Sequence, residues 1–204
     1  MKSTEMPPAA IKESLREELR GRLRAMTPES RADGSRCILE ACRDMPEWVR
    51  CRSVALYHPR TDEPDLWPLV ESSWAEGRTV VLPSCDDSGD AYRWRRVTGP
   101  DDMVPGRFGI LEPRRHCEPV DAERLDLAFV PGLGFSTDGG RLGRGKGFYD
   151  RLLQSLGGSR FGVAFAFQML PQVPREGHDV LLDGVVTPSG CRYATSGVPQ
   201  RNGH

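Results

Sequence analysis

The sequence predicts an α/β fold: a single domain with a mainly parallel or mixed central sheet, helices on both faces, and a Rossmann-like outline. Three observations predict it. SVALY (53–57) and TVVLP (79–83) are short apolar runs on either side of a helical stretch from Asp65 to Glu76. That strand–helix–strand order is the pattern of a parallel βαβ unit. LDLAFVP (125–131) and FGVAFAF (161–167) are nearly continuous apolar runs, as core strands are. Finally, nothing in the middle of the 204 residues reads as a flexible linker, which favours one domain over two.

The elements follow in order. Residues 7–25 read as a helix: Pro7 and Pro8 suit a first turn, and Ile11, Leu15, Leu19 and Leu23 recur every four residues as an apolar stripe. Thr27-Pro28-Glu29 is an N-cap followed by proline at the first helical position, so a second helix runs from there to about Arg43. After the first strand, the helix from Asp65 ends at Gly77. In 92–95, Tyr92 and Trp94 alternate with Arg93 and Arg95, as on an edge strand with one apolar face. The remainder of 84–124 is rich in turn residues and predicts a long irregular excursion. A helix is expected over Lys146–Leu156, a last strand over 180–187, and a frayed tail over 190–204.

Composition excludes some functions. Hydrophobic residues make up 38% and charged residues 28%, as in an ordinary globular protein. The net charge of −1 argues against bulk binding to nucleic acid or an anionic membrane, so any anion site must be local. The first 24 residues carry no apolar core of a secretory signal, and no apolar run is long enough to span a bilayer. The six cysteines form no CxxC pair, which points away from a zinc module and towards free thiols in a reducing cytoplasm.

The chemistry concentrates in FVPGLGFSTDGGRLGRGKGFYDRLL, residues 129–153. Strand, Gly-rich turn and helix aim backbone N–H groups at one point. Gly140, Gly143, Gly145 and Gly147 allow positive φ and close approach of a ligand. Arg141, Arg144 and Lys146 place three cations on six residues, which repel one another without an anion among them; a polyphosphate fits. Gly140-x-x-x-x-Gly145-Lys146 has P-loop spacing, yet Gly147 stands where a Ser or Thr would ligate Mg²⁺. The metal must then be held elsewhere, most simply by Asp150. An ordinary P-loop kinase or NTPase is disfavoured for this reason, and a dinucleotide-binding domain because no GxGxxG follows the first strand.

RLGRGKGFYD (141–150) closely resembles the loop that marks the 5-formyltetrahydrofolate cyclo-ligase family, and the likeness spans most of the chain. Lys12-Glu-Ser-Leu-Arg16, Asp62-Glu63-Pro64-Asp65, GILEP (109–113), VPGLGF (130–135), Gln168 and Pro174-Arg175-Glu176-Gly177-His178-Asp179 match in the same order. Phe148 departs from the pattern, standing where many members have tyrosine. The resemblance implies an ATP- and Mg²⁺-dependent ligase that cyclises 5-formyltetrahydrofolate to 5,10-methenyltetrahydrofolate through a phosphorylated formyl oxygen. It implies Arg144 and Lys146 as the charge-neutralising catalytic pair. ATP would be held by Lys12, Arg16, Arg141, Leu142, Gly143, Arg144, Gly145, Lys146, Gly147, Phe148 and Tyr149. Folate would be held by His58, Glu63 and the loop from Arg144 to Phe148, and Mg²⁺ by Asp150 and Asp179. Phe108, Phe135, Phe148 and Trp94 are candidates for the pterin wall. A monomer is expected, with nucleotide and folate meeting at the carboxyl ends of the strands. The alternative is a binding module that holds folate or nucleotide without turnover.

Overall fold

The structure is a computed structural model and describes residues 7–85, 92–106, 109–177 and 179–195. Three helices lead the chain: α1 (Pro8–Ala25), α2 (Pro28–Arg43) and α3 (Pro46–Arg50). The second is capped as its sequence predicts, the Thr27 hydroxyl accepting the Ser30 N–H at 3.2 Å. The five-residue α3 is too short to show periodicity in the sequence. Then come β1 (Ser53–Ala55), α4 (Trp67–Ala75), β2 (Thr79–Cys85) and β3 (Tyr92–Val97). The excursion that follows is a small antiparallel hairpin, β4 (Met103–Pro105) with β5 (Leu111–Pro113). The second half holds β6 (Leu127–Val130), β7 (Gly134–Ser136), β8 (Arg141–Leu142), α5 (Phe148–Leu153), β9 (Ser159–Val163), β10 (Met169–Leu170), β11 (Gly184–Thr187) and β12 (Gly190–Tyr193).

The main sheet has seven strands in the order β12-β11-β9-β6-β1-β2-β3. The five inner strands are parallel; β3 and β12 close the two edges antiparallel. Side chains sort by the two-residue period of a strand. Val54, Val80, Leu82, Leu127 and Phe129 join one core with residues of α1, α2, α3 and α4. Ala55, Val81, Ala128 and Val130 join a second core with Leu152, Leu153 and Leu156 at α5. Helices therefore cover both faces, and the central strands β1 and β6 bury apolar side chains on each.

Three expectations need correction. The tail expected over 190–204 does not begin at residue 190, because Gly190–Tyr193 is strand β12, paired with β11; residues 196–204 lie outside the described residues. The apolar run 161–167 is strand only to Val163; the chain then turns, and the Gln168 side chain accepts the Phe165 N–H at 2.8 Å. The helix after the Gly-rich loop is shorter than Lys146–Leu156, starting at Phe148 and ending at Leu153.

The sheet changes winding direction between β1 and β6: β1 leads to β2 on one side, and β6 leads to β9 on the other. At such a switch point the connections leave in opposite directions and open a crevice at the carboxyl ends of the strands. A short three-stranded sheet, β10-β7-β8, flanks that end and carries the Gly-rich loop.

Candidate active site

The crevice is a cavity of about 390 Å³. Tyr57 and His58 enter it from the end of β1, Pro131 and Gly132 from the end of β6, and Leu82 and Pro83 from β2. Lys12 and Arg16 reach it from one face of α1, one helical turn apart. The loop from Arg141 to Asp150 closes one wall, and Glu63, Glu176 and Asp179 add acidic groups. All the residues expected to hold nucleotide, folate or metal thus line one cavity.

The β7–β8 hairpin aims the loop. Gly134 pairs with Leu142 and Phe135 with Arg141, so Arg141 leaves a strand and not a free coil. Gly145 and Gly147 adopt φ of 105° and 63°, the left-handed region that glycine enters without strain. Gly140 and Gly143, contrary to expectation, do not; a Cβ on Gly140 would meet the Ser136 hydroxyl oxygen at 2.5 Å, so that position is glycine for want of space.

The cations of the cavity are paired. Arg141, with 4% of its side chain exposed, meets Asp150 at 2.7 Å. Arg144 meets Asp62 at 2.7 Å and Glu63 at 3.2 Å. Lys12 meets Glu176 at 2.8 Å and Asp179 at 3.1 Å. Arg16 donates to the Gly143 carbonyl at 3.1 Å, tying α1 to the loop. Two of the three loop cations are thus balanced by the protein's own carboxylates: Arg141 by Asp150, nine residues on, and Arg144 by Asp62 and Glu63, from a distant part of the chain.

Burial sets the electrostatics. Glu63 is 7% exposed, and burial pushes its carboxyl above the usual range even with Arg144 beside it. For Arg144, burial lowers the guanidinium pKa, but the charges of Glu63 and Asp62 and the bonds to them outweigh it. Lys12 follows the same logic: burial opposes its charge, the hydrogen bonds to Glu176 and Asp179 prevail, and its pKa rises. Burial holds His58 below the ordinary imidazole value.

Of the aromatic candidates, only Phe148 faces the cavity among the described residues. Its ring lies 4.6 Å from that of Tyr92, which also lines the site. The Lys146 ammonium lies 5.9 Å from the Phe148 ring centroid. Phe135 is fully buried, and Trp94 is 2% exposed with its indole N–H donating to the Leu152 carbonyl at 3.3 Å, so both belong to the core. Phe108 and His178 lie outside the described residues. Tyr92, Arg60 and Glu176 are not among the expected site residues; the folded topology brings them to the crevice.

The fold and this cavity define an α/β protein with a crevice lined by charged side chains at the switch point of its sheet. The family model described as the 5-formyltetrahydrofolate cyclo-ligase family matches residues 8–188, and the chain belongs to that family. It is accordingly an enzyme, a ligase of folate one-carbon metabolism. The chain is 32% identical over 176 residues to the 5-formyltetrahydrofolate cyclo-ligase of Escherichia coli strain K12, covering 84% of this chain and 97% of that one. It is 28% identical over 194 residues to the mouse enzyme of the same name, covering 87% and 93%. Its fold matches the solution structure of Aquifex aeolicus 5,10-methenyltetrahydrofolate synthetase with a TM-score of 0.81 and 33% identity, over 95% of this chain and all of the other.

Proposed function

We propose that the chain uses ATP to cyclise 5-formyltetrahydrofolate to 5,10-methenyltetrahydrofolate, releasing ADP and phosphate. The observation that carries this reading is the meeting of the cationic loop with the acidic turn 62–63 in one crevice, through the Arg144 pairs to Asp62 and Glu63. A phosphate-binding loop and a group able to accept two hydrogen bonds from an amino-pyrimidine edge then stand side by side. The names of the relatives supply the folate.

An N-formyl carbonyl is a poor electrophile because the nitrogen lone pair feeds into it. Moving the γ-phosphoryl group of ATP to the formyl oxygen makes that oxygen a leaving group. N10 then attacks the carbon, and loss of phosphate leaves the cyclic amidinium. Little covalent chemistry falls to the protein; it aligns two ligands and neutralises phosphoryl charge. Arg144 and Lys146 meet the charge that grows on the γ-phosphoryl oxygens. Arg141, Arg16, Lys12 and the amides from Leu142 to Tyr149 hold the rest of the triphosphate. As polyphosphate enters, Lys12 and Arg141 exchange a carboxylate partner for a phosphate oxygen. Glu63 anchors the pterin, His58 lies on the same rim, and Phe148 with Tyr92 offers it an aromatic wall.

Asp150 and Asp179 suit Mg²⁺. Both face the cavity, with 18% and 20% of their side chains exposed, and hard oxygen donors from one or two carboxylates plus phosphate are what this ion takes. Held there, the ion would supply positive charge to offset that of the phosphate oxygens. A monomer suffices, since one chain supplies every residue of the cavity.

The test follows 5,10-methenyltetrahydrofolate by its near-ultraviolet absorbance after mixing protein, 5-formyltetrahydrofolate and Mg-ATP. Product is expected from the wild type, with turnover lowered by about 10³-fold in Lys146→Ala. Folded wild-type protein that binds ATP or folate yet forms no product would sink the proposal and leave a binding module.

A further inference from the structure

The base of the β4–β5 hairpin brings together three side chains that the cyclisation does not use. Asp102 ends the 3-10 turn just before β4, while His116 and Cys117 follow β5. One ligand atom from each, a carboxylate oxygen, an imidazole nitrogen and the thiol sulfur, lies within 4.8 Å of the other two. The carboxylate is already oriented: its Oδ2 accepts the Thr98 N–H at 2.7 Å and the Thr98 hydroxyl at 2.8 Å. Oδ1 stands 4.0 Å from His116 Nε2. Cys117 is 5% exposed, with Sγ 3.7 Å from the Asp102 carbonyl oxygen. His116, by contrast, is 73% exposed and can swing.

We propose that Asp102, His116 and Cys117 bind a divalent transition metal of the zinc type, clipping together the two ends of the hairpin. The donor set decides the class of ion. One thiolate, one imidazole and one carboxylate suit borderline ions such as Zn²⁺, whereas Mg²⁺ takes oxygen alone. Three protein ligands leave a fourth tetrahedral position for water. Charge also balances, since a thiolate and a carboxylate offset a 2+ ion. Tetrahedral zinc with these donors needs ligand separations of about 3.5 Å, and rotation of the exposed His116 can shorten its own distances to the other two ligand atoms. Thr98 acts as the supporting hydrogen-bond donor that ligating carboxylates require. Arg95 donates to the Arg115 and Cys117 carbonyls at 2.9 and 2.7 Å, and Arg114 to the Asp101 carbonyl at 2.7 Å, so neither guanidinium is hydrogen-bonded to a ligand atom.

On binding, the Cys117 S–H bond breaks, its proton passes to solvent, and the sulfur lone pair forms the metal bond; no electron changes hands. The clip would also reach the cavity, because Ile110 and Leu111, at the start of β5, line it. Fixing the hairpin base steadies that wall.

Co²⁺ tests the site in the full chain, kept reduced and free of any polyhistidine tag. A thiolate-to-cobalt charge-transfer band should grow and saturate at one equivalent, with one proton released per ion, and Zn²⁺ should abolish the band by displacement. Cys117→Ser and His116→Ala should each lose it, while Cys37→Ser and Cys191→Ser keep it. His116 is a surface side chain, so its alanine variant decides the matter even where Cys117→Ser fails to fold. No band in the wild type, or a band that persists in His116→Ala, overturns the proposal. Mg²⁺ in the catalytic cavity does not interfere, because oxygen donors give no such band.

Discussion

The two ends of the main sheet treat their charges differently. At the amino ends of β1 and β6, one carboxylate is satisfied by backbone and hydroxyl donors of the neighbouring strand. Asp126 Oδ2 accepts the Arg52 N–H, the Ser53 N–H and the Ser53 hydroxyl, each at 2.9 Å, and so pins the starts of both central strands. At the carboxyl ends the charges are settled between ionised side chains. Lys12 meets partners 164 and 167 residues away, and Arg144 meets Asp62 and Glu63 across 82 and 81 residues. These pairs face a cavity instead of a filled turn. The difference teaches that the amino end fixes the register of the sheet, while the carboxyl end keeps ion pairs that an incoming ligand can trade.

Three substitutions sharpen the contrast. The largest effect is expected of Glu63→Gln at the carboxyl end. It removes the carboxylate proposed to anchor the pterin, so the KM for folate should rise by about 10–100-fold, the range for losing one charged hydrogen-bonding partner. Stability should move the other way. A folded-state pKa raised by burial means that ionising Glu63 costs stability, a cost that appears as pH rises above 4.5, the carboxyl's ordinary value. Glutamine escapes it, so the variant should melt higher than wild type at neutral pH, by a margin that vanishes in acid. A lower melting point at neutral pH would break the contrast.

Asp126→Asn at the amino end should do the reverse, leaving KM untouched and costing roughly 1 kcal/mol once solvent screening is allowed for. Burial pushes the Asp126 carboxyl up, but the bonds from Arg52 and Ser53 outweigh it and its pKa falls. The stability is then present above 3.8, the ordinary value, and is lost as pH falls below it. Urea unfolding at neutral and acid pH checks this, the deficit closing in acid. The smallest effect belongs to Arg36→Ala. That side chain pairs with Asp33 and Glu40 on the outside of α2, 62% exposed, and its loss should leave the melting temperature unchanged within error.

Much of this arrangement was legible in the amino-acid pattern, for physical reasons. The 3.6-residue period showed in α1 because Leu19 and Leu23 share one buried stripe, and the Thr27 cap announced α2. The parallel core strands are apolar because both of their faces are covered. The Gly-rich loop stood out because positive φ and close packing leave glycine no substitute. Short elements did not show: the two-residue β8 and β10 have no period, and β12 alternates too weakly. Within the site, residue types could be read but pairings could not. That Arg144 faces Glu63, or that Tyr92 stacks on Phe148, follows from the order of strands in the sheet, which no local pattern encodes.

The antiparallel strand β12 has a consequence of its own. It occupies one whole edge of β11, pairing Gly184 through Thr187 with Tyr193 through Gly190. A chain that ended at residue 189 would keep the entire cavity and still offer an open rung of apolar strand to any neighbour. Its fate would be decided by how crowded it is, with catalysis intact in dilute solution and sheet-to-sheet clumping at high concentration. Strand β12 thus guards solubility, a duty far removed from the chemistry at the crevice.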